Sequence, residues 1–302
     1  MRTVSYEYAL ISANMIRNIL IASMMVTLGS CQTENLNEGM ELKNQLIGIT
    51  SAHNARQLGG YKIGNKTVKD NLLIRTAAIS GLSEKDSTLL ADKYRVQRIY
   101  DFRGETESLA SPDVIPGNAV YLSLSIPFEG TESSSLHSQS QEETIKMLLE
   151  YADNPMVQDM CENMYDKIFF EESSHEVYRR FFADLLTLEP EEGAVLWHCT
   201  QGKDRAGSAS AMLLAALGAD RDLIMVDFTL SKDYYDHIVS RIPVETDVQR
   251  NVINTIISAN PVVFEKTLNK VDAEYGSLRN YLTECIGVTP EMMNILRERY
   301  LE

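Results

Sequence analysis

Metal ligands are scarce in this sequence and badly spaced. Among 302 residues only five are histidine (His53, His137, His175, His198 and His237), and no two form an H-x-x-x-H pair, so no zinc-type ligand set can be read. The four cysteines, Cys31, Cys161, Cys199 and Cys285, match neither a metal cluster nor a disulfide framework. A single Cys161–Cys285 disulfide is the one pairing left open. No metal and no cofactor are expected. Positive charge is short as well: 28 Lys and Arg stand against 43 Asp and Glu, a net charge of −15. That balance excludes a general nucleic-acid binder, because phosphate backbones are repelled without a basic face. An acidic body can still hold a basic pocket. No apolar run reaches the roughly 20 residues that a membrane-spanning helix needs, and no internal repeat is present.

The N-terminus reads as an address. Arg17 precedes an uncharged apolar run from Ile19 to Gly29, ending in Gly29-Ser30 just before Cys31. This has the length of a signal h-region, with Met15 as the better start of that signal. The L-G-S-C sequence resembles the lipobox of bacterial lipoproteins, which implies lipidation of Cys31 and an extracytoplasmic, lipid-anchored protein that meets the membrane only through that lipid. Residues 1–30 are then a signal peptide. Residues 31–44, polar and without periodicity, are a tether, and 45–302 are one catalytic domain.

Within that domain, Leu72–Thr76, Val96–Phe102, Val120–Leu124 and Ala194–Trp197 read as short buried strands. Ser83 opens a helix with a capping-box pattern. Helical periodicity runs from Glu143 to about Leu188, and Thr131–Glu143 is a polar surface loop. Arg205–Leu217 fits a small-residue helix stopped by Gly218. The C-terminal third is nearly all helical, breaking at Gly287 and closing with Thr289 as N-cap and Pro290 at the first helical position. The pattern predicts an α/β fold: a central, mostly parallel sheet flanked by helices, with extra helices in the C-terminal third.

Between the last strand and its helix lies His198-Cys-Thr-Gln-Gly-Lys-Asp-Arg205-Ala-Gly207. Loop N–H groups and the first turn of a helix converge at such a junction and carry partial positive charge. That setting favours the thiolate of Cys199, the nucleophilic form. Arg205, six positions on, can fold back and give a planar two-pronged contact to phosphate oxygens. Gly202 and Gly207 allow tight turning and close approach. A lone cysteine at a strand end is more often a small buried hydrophobe; cysteine and arginine at C-x5-R spacing around a glycine, flanked by His198, overturn that reading.

HCTQGKDRAG resembles the HCxxGKDRxG loop of the atypical bacterial and fungal protein tyrosine phosphatases. His53-Asn-Ala-Arg-Gln-Leu-Gly-Gly60-Tyr is similar to that family's N-x-R-D-L-G-G-Y segment, Asp101-Phe-Arg103-Gly-Glu105-Thr-Glu107 to its D-L-R-S-x-x-E segment, and Glu274-Tyr-Gly276-Ser-Leu-Arg-Asn-Tyr281-Leu to its Y-G-S…Y-L helix start. The resemblance covers about residues 50–302 and implies a tyrosine-phosphatase-like fold. It also implies a cysteine-dependent phosphatase acting on phosphorylated proteins or peptides, with tyrosine or dual specificity, or on phosphoinositides. Two departures stand out: Gln57 where the family has Asp, and Ala206 where it has Thr. A hydroxyl at 206 would help the cysteine sulfur leave, so its absence predicts slow breakdown of the phosphoenzyme.

The roles follow. Cys199 is the nucleophile. Arg205 and the loop, with His198, Thr200, Gln201, Gly202, Lys203, Ala206 and Gly207, bind and stabilise the phosphoryl oxygens. Lys203 adds charge at the rim. The resemblance implies Asp204 as the acid; Asp101 is the second candidate, or with Arg103 an ion pair that braces the loop. Lys62, Lys66, Arg56 and Arg75 are candidate contacts for an inositol phosphate. Two rival functions stay open: a non-catalytic phospho-ligand-binding surface lipoprotein, and thiol-redox chemistry through a second cysteine.

Overall fold

The computed structural model describes residues 45–126 and 141–302. The signal, the tether, Cys31 and positions 131–140 of the polar loop lie outside the described residues. Among the described residues there are seven strands: β1 Arg56–Gln57, β2 Lys62–Ile63, β3 Lys66–Thr67, β4 Leu73–Thr76, β5 Arg98–Asp101, β6 Val120–Ser123 and β7 Val195–His198. β2 and β3 form a separate hairpin. The others make one sheet in the order β1-β4-β7-β5-β6, with β1 antiparallel and every other pairing parallel. The predicted central, mostly parallel sheet is therefore present, and all four predicted strands are in it.

Side chains of β4, β5 and β7 alternate as strands buried on both faces require, whereas β6, expected to be buried, is the sheet edge and only partly covered, with Val120 exposed. Leu73, Tyr100, Val195 and Trp197 join the large core on one face. Ile74, Ile99, Ala194 and Leu196 join a smaller core on the other, with Ile47, Leu90 and Tyr94. Each such large apolar side chain stabilises the fold by about 1.5–3 kcal/mol on burial.

Among the described residues there are twelve α-helices: α1 Glu84–Thr88, α2 Glu105–Ala110, α3 Gln141–Glu150, α4 Pro155–Glu162, α5 Asp166–Phe170, α6 Glu172–Leu185, α7 Arg205–Leu217, α8 Arg221–Val239, α9 Asp247–Ile256, α10 Pro261–Tyr275, α11 Leu278–Tyr281 and α12 Pro290–Tyr300. The periodic stretch 143–188 is divided among four helices. Asn154 caps α4 by accepting from the Met156 N–H, with Pro155 at its first position, so the chain is made to restart there. Ser83 caps α1 by accepting from the Asp86 N–H. The reciprocal half of that box is missing, because the Asp86 carboxylate turns to Thr50 and Ser51. Gly218 and Gly287 end their elements at φ 103° and 78°, as expected of left-handed caps. Thr289 caps α12 with Pro290 at its first position.

All thirteen residues of α7 are buried. Its run of Ala, Gly and Ser lets the sheet and the C-terminal helices approach closely from opposite sides. A third core, between α3, α4 and α9, gathers Leu148, Val157, Cys161, Val252 and Ile256. Thr76 and Asp101 both sit opposite His198 in the parallel register. Three strand C-termini therefore end side by side, where open α/β sheets bind ligands.

Candidate active site

The loop between β7 and α7 is shaped by what holds its carbonyls. The Cys199 carbonyl faces the His198 ring Nδ1 at 3.2 Å, and that of Thr200 accepts from the Ala78 N–H at 3.1 Å. The Gln201 carbonyl accepts from the Tyr235 hydroxyl at 2.7 Å. That of Gly202 accepts from Asn54 Nδ2 at 2.9 Å and Arg75 Nη2 at 2.8 Å, and Arg75 Nη2 also reaches the Lys203 carbonyl at 3.4 Å. In a trans peptide the N–H points opposite to the carbonyl of the preceding residue. Five successive carbonyls bound outside therefore turn the N–H groups of 200–204 inward. Among the described residues none of those N–H groups donates to another backbone carbonyl. The result is a cradle of donors beside a helix N-terminus, suited to an oxyanion. Gly202 is required there: its φ is 66°, and a Cβ would lie 2.4 Å from the Thr76 carbonyl oxygen.

Arg205 is the first residue of α7 and almost wholly buried. Its Nη1 donates to Glu107 Oε2 at 2.7 Å and its Nη2 to Glu107 Oε1 at 2.9 Å. Further contacts to the Phe102 carbonyl and the Thr200 hydroxyl hold the fork in one plane. Burial works against the charge of Arg205, but Glu107 and Cys199 outweigh it and hold its pKa above the ordinary arginine value. Burial likewise raises Glu107, and Arg205 more than reverses that, so the carboxylate stays ionised. Glu107 also accepts from the Gly104 N–H and the Thr200 hydroxyl. Glu107 was not assigned a role from the sequence, although it closes the D-F-R-G-E-T-E segment quoted for the resemblance.

Two predicted ligands prove to be structural. Lys203, expected at the rim, is fully buried: its Nζ lies 2.9 Å from Asp204 Oδ2 and donates to the Thr255 carbonyl at 3.2 Å, because the loop turns it inward under α9. Arg103 is buried as well, spending its guanidinium on Asp101, Asp113 and the Ser111 carbonyl. Asp101, with no exposed surface, accepts from Arg103 and from the Tyr121 hydroxyl. Burial raises its pKa, but His198, Arg103 and Tyr121 together hold it well below the carboxylate range. His198 sits between Asp101, at 3.8 Å, and Asp113, at 3.2 Å. Burial lowers its pKa and these carboxylates raise it further, for a net rise. The Asp101–Asp113–His198 group has the donors of a metal site, but Arg103 is paired to both its carboxylates.

Asp204 is nearly buried, accepting from the Tyr165 hydroxyl at 2.9 Å beside its contact with Lys203. Ala206 packs in the core, its carbonyl taken by the Trp197 indole N–H. Gln57 accepts from the Asn71 N–H, pinning β1 to the turn before β4. Arg56 and Arg75, expected on the surface, are 1% and 0% exposed and share Asp227. Neither can reach a ligand outside the protein. Lys62 and Lys66 remain exposed on the hairpin. Cys161 and Cys285 are free thiols, and burial pushes Cys161 up to about 12, which leaves it inert as a nucleophile.

The chain matches the model of the tyrosine phosphatase family over residues 47–302. It belongs to that family. Relatives include the triple specificity protein phosphatase PtpB of Mycobacterium tuberculosis, 30% identical over 120 residues, covering 34% of this chain and 42% of the relative. A tyrosine-protein phosphatase of Nostoc commune is 27% identical over 164 residues, covering 54% and 49%. The chain spans less than half the length of the curated relatives it matches. The family's C-x5-R loop is the cradle described above.

Proposed function

We propose that this chain hydrolyses phosphate monoesters through a phosphocysteine on Cys199, as a protein tyrosine or dual-specificity phosphatase. The observation that carries the reading is the loop itself: five carbonyls held outside, with Arg205 fixed by Glu107. Cys199 Sγ attacks phosphorus in line, the ester oxygen leaves, and water then cleaves the S–P bond to release phosphate. The N–H groups and Arg205 meet the charge on the equatorial oxygens.

The leaving oxygen takes its proton from Asp204. Asp101 is unsuited to that step, since Arg103 and His198 hold it ionised; it braces the loop instead. Tyr165 and Lys203 position the Asp204 carboxylate.

Phosphopeptides are the favoured substrates. Phosphoinositides are the alternative, and it is weakened because Arg56 and Arg75, two of its four basic candidates, are committed to Asp227. The lipobox-like segment supports a lipid anchor at Cys31. Among the described residues no helix is long and apolar enough to cross a membrane. Loss of detergent-phase partitioning in Cys31→Ala would support the anchor, and unchanged partitioning would reject it.

The test of the activity is hydrolysis of p-nitrophenyl phosphate in the presence of a metal chelator. Turnover in the wild type and none in Cys199→Ser is expected. No turnover in the wild type would favour the phospho-ligand-binding alternative that Ala206 keeps open.

A further inference from the structure

The buried charges around the loop do not balance. Arg205 is matched by Glu107 and Lys203 by Asp204. Arg103 and His198 face Asp101 and Asp113. Arg56 and Arg75, in contrast, share the single carboxylate of Asp227, at 3.3 and 2.5 Å. Tyr61 donates its hydroxyl to that carboxylate as well, a neutral partner. At this end of the cluster two guanidiniums thus face one carboxylate, before the Cys199 sulfur is counted.

Arg75 is the member that reaches the loop. It passes from β4 beneath the first turn of α7, where Gly207 leaves room for it: a Cβ at 207 would lie 3.0 Å from Arg75 Nη2. Burial and the neighbouring Arg56 lower its pKa to about 10, with Asp227 and Cys199 acting the other way, so it is charged at neutral pH. Burying an unmatched cation is costly unless a partner charge arrives. A thiolate supplies that charge.

We propose that Arg75 is a positioning residue for this site: it holds the Gly202 and Lys203 carbonyls outward and, as one of two guanidiniums sharing the single Asp227 carboxylate, leaves net positive charge beside the loop as the complement of the Cys199 thiolate. Its purpose rests on the phosphatase reading above, but its test does not depend on turnover. Cys199 is alkylated in the full chain with iodoacetate, an anion, and with iodoacetamide, its neutral counterpart, and the Cys199 peptide is quantified by mass spectrometry. The ratio of the two rates reads the charge around the sulfur, whereas a loosened fold moves both rates together.

Arg75→Gln lowers the iodoacetate-to-iodoacetamide ratio by about fivefold, the order expected for loss of one unit charge partly offset by its shared carboxylate. Asp227→Asn, which removes the counter-charge, raises it. Arg75→Lys keeps the charge and stays within about twofold of the wild type. A flat ratio in Arg75→Gln, or a fall in Asp227→Asn, overturns the proposal. Should Arg75→Gln not fold, Asp227→Asn decides alone: a rise supports and a flat or falling ratio rejects. Turnover of p-nitrophenyl phosphate on the same samples separates the two claims. Predicted ratios without wild-type turnover would reject the phosphatase reading only; turnover with flat ratios would reject the surplus charge only.

Discussion

Glu107→Ala attacks the site through a residue that touches no substrate. In the wild type both Glu107 oxygens accept from Arg205, at 2.7 and 2.9 Å, and Oε2 also accepts from the Gly104 N–H at 2.8 Å at the start of α2. Removing the carboxylate leaves a buried guanidinium without its counter-ion, a loss of about 3–5 kcal/mol in measured cases. For a chain of this size that is a fall in Tm of about 10 °C. The freed fork no longer presents its donors in the phosphoryl plane, and loss of one such preorganised contact costs about 10²–10³ in rate. Thermal unfolding by circular dichroism and kcat/KM on p-nitrophenyl phosphate are the two assays. Glu107→Gln keeps an acceptor without the charge and falls between. Because Glu107 is held below the ordinary glutamate pKa, its contribution is present above about pH 4.3. It is lost as pH falls toward its folded pKa, so the Tm gap between wild type and Glu107→Gln closes in acid. A Glu107→Ala protein with unchanged Tm and kcat/KM within about threefold of the wild type would refute this reasoning.

Other expectations follow from the same geometry. Asp204→Asn loses about 10²–10³ in kcat on substrates with poor leaving groups and much less on p-nitrophenyl phosphate; equal losses on both would reject Asp204 as the acid. Ala206→Ser restores a hydroxyl beside the loop arginine and shrinks the pre-steady-state burst of p-nitrophenol; an unchanged burst would show that breakdown of the phosphoenzyme does not limit turnover. His198, its pKa raised in the fold, contributes stability that is fully present below about pH 6.5 and lost as pH rises through the folded pKa. The Tm advantage of the wild type over His198→Gln should therefore shrink toward alkaline pH, and an advantage that grows would contradict the raised pKa of His198 in the fold.

Local signals were strong where the sequence and the fold obey the same local rule. The parallel strands are short apolar runs, and Gly218, Gly287, Thr289 and Pro290 punctuate helices by conformational rules that need no tertiary context. The C-x5-R loop was legible for the same reason: its chemistry sits within seven consecutive residues. What stayed hidden was long-range. Asp227 lies 171 positions from Arg56, on a helix whose sequence gives no reason for a buried carboxylate, and without it Arg56 and Arg75 read as surface charge. Lys203 looked like a rim cation because its sequence neighbours line the loop, whereas its direction is set by Asp204 and the Thr255 carbonyl. Glu107 was visible as part of a motif, but its bond to Arg205 spans 98 residues. The pairings of Arg103 with Asp101, two residues away, and of Lys203 with the adjacent Asp204 were the ion pairs of this cluster that local spacing could suggest.

The central claim is a covalent phosphoenzyme on one named sulfur. The most direct measurement is acid quenching of the enzyme during turnover of p-nitrophenyl phosphate, followed by mass spectrometry of the Cys199 peptide. A phosphoryl adduct on Cys199 in the wild type and none in Cys199→Ser is the predicted result. Steady hydrolysis with no adduct at Cys199, or undiminished hydrolysis by Cys199→Ser, would contradict it.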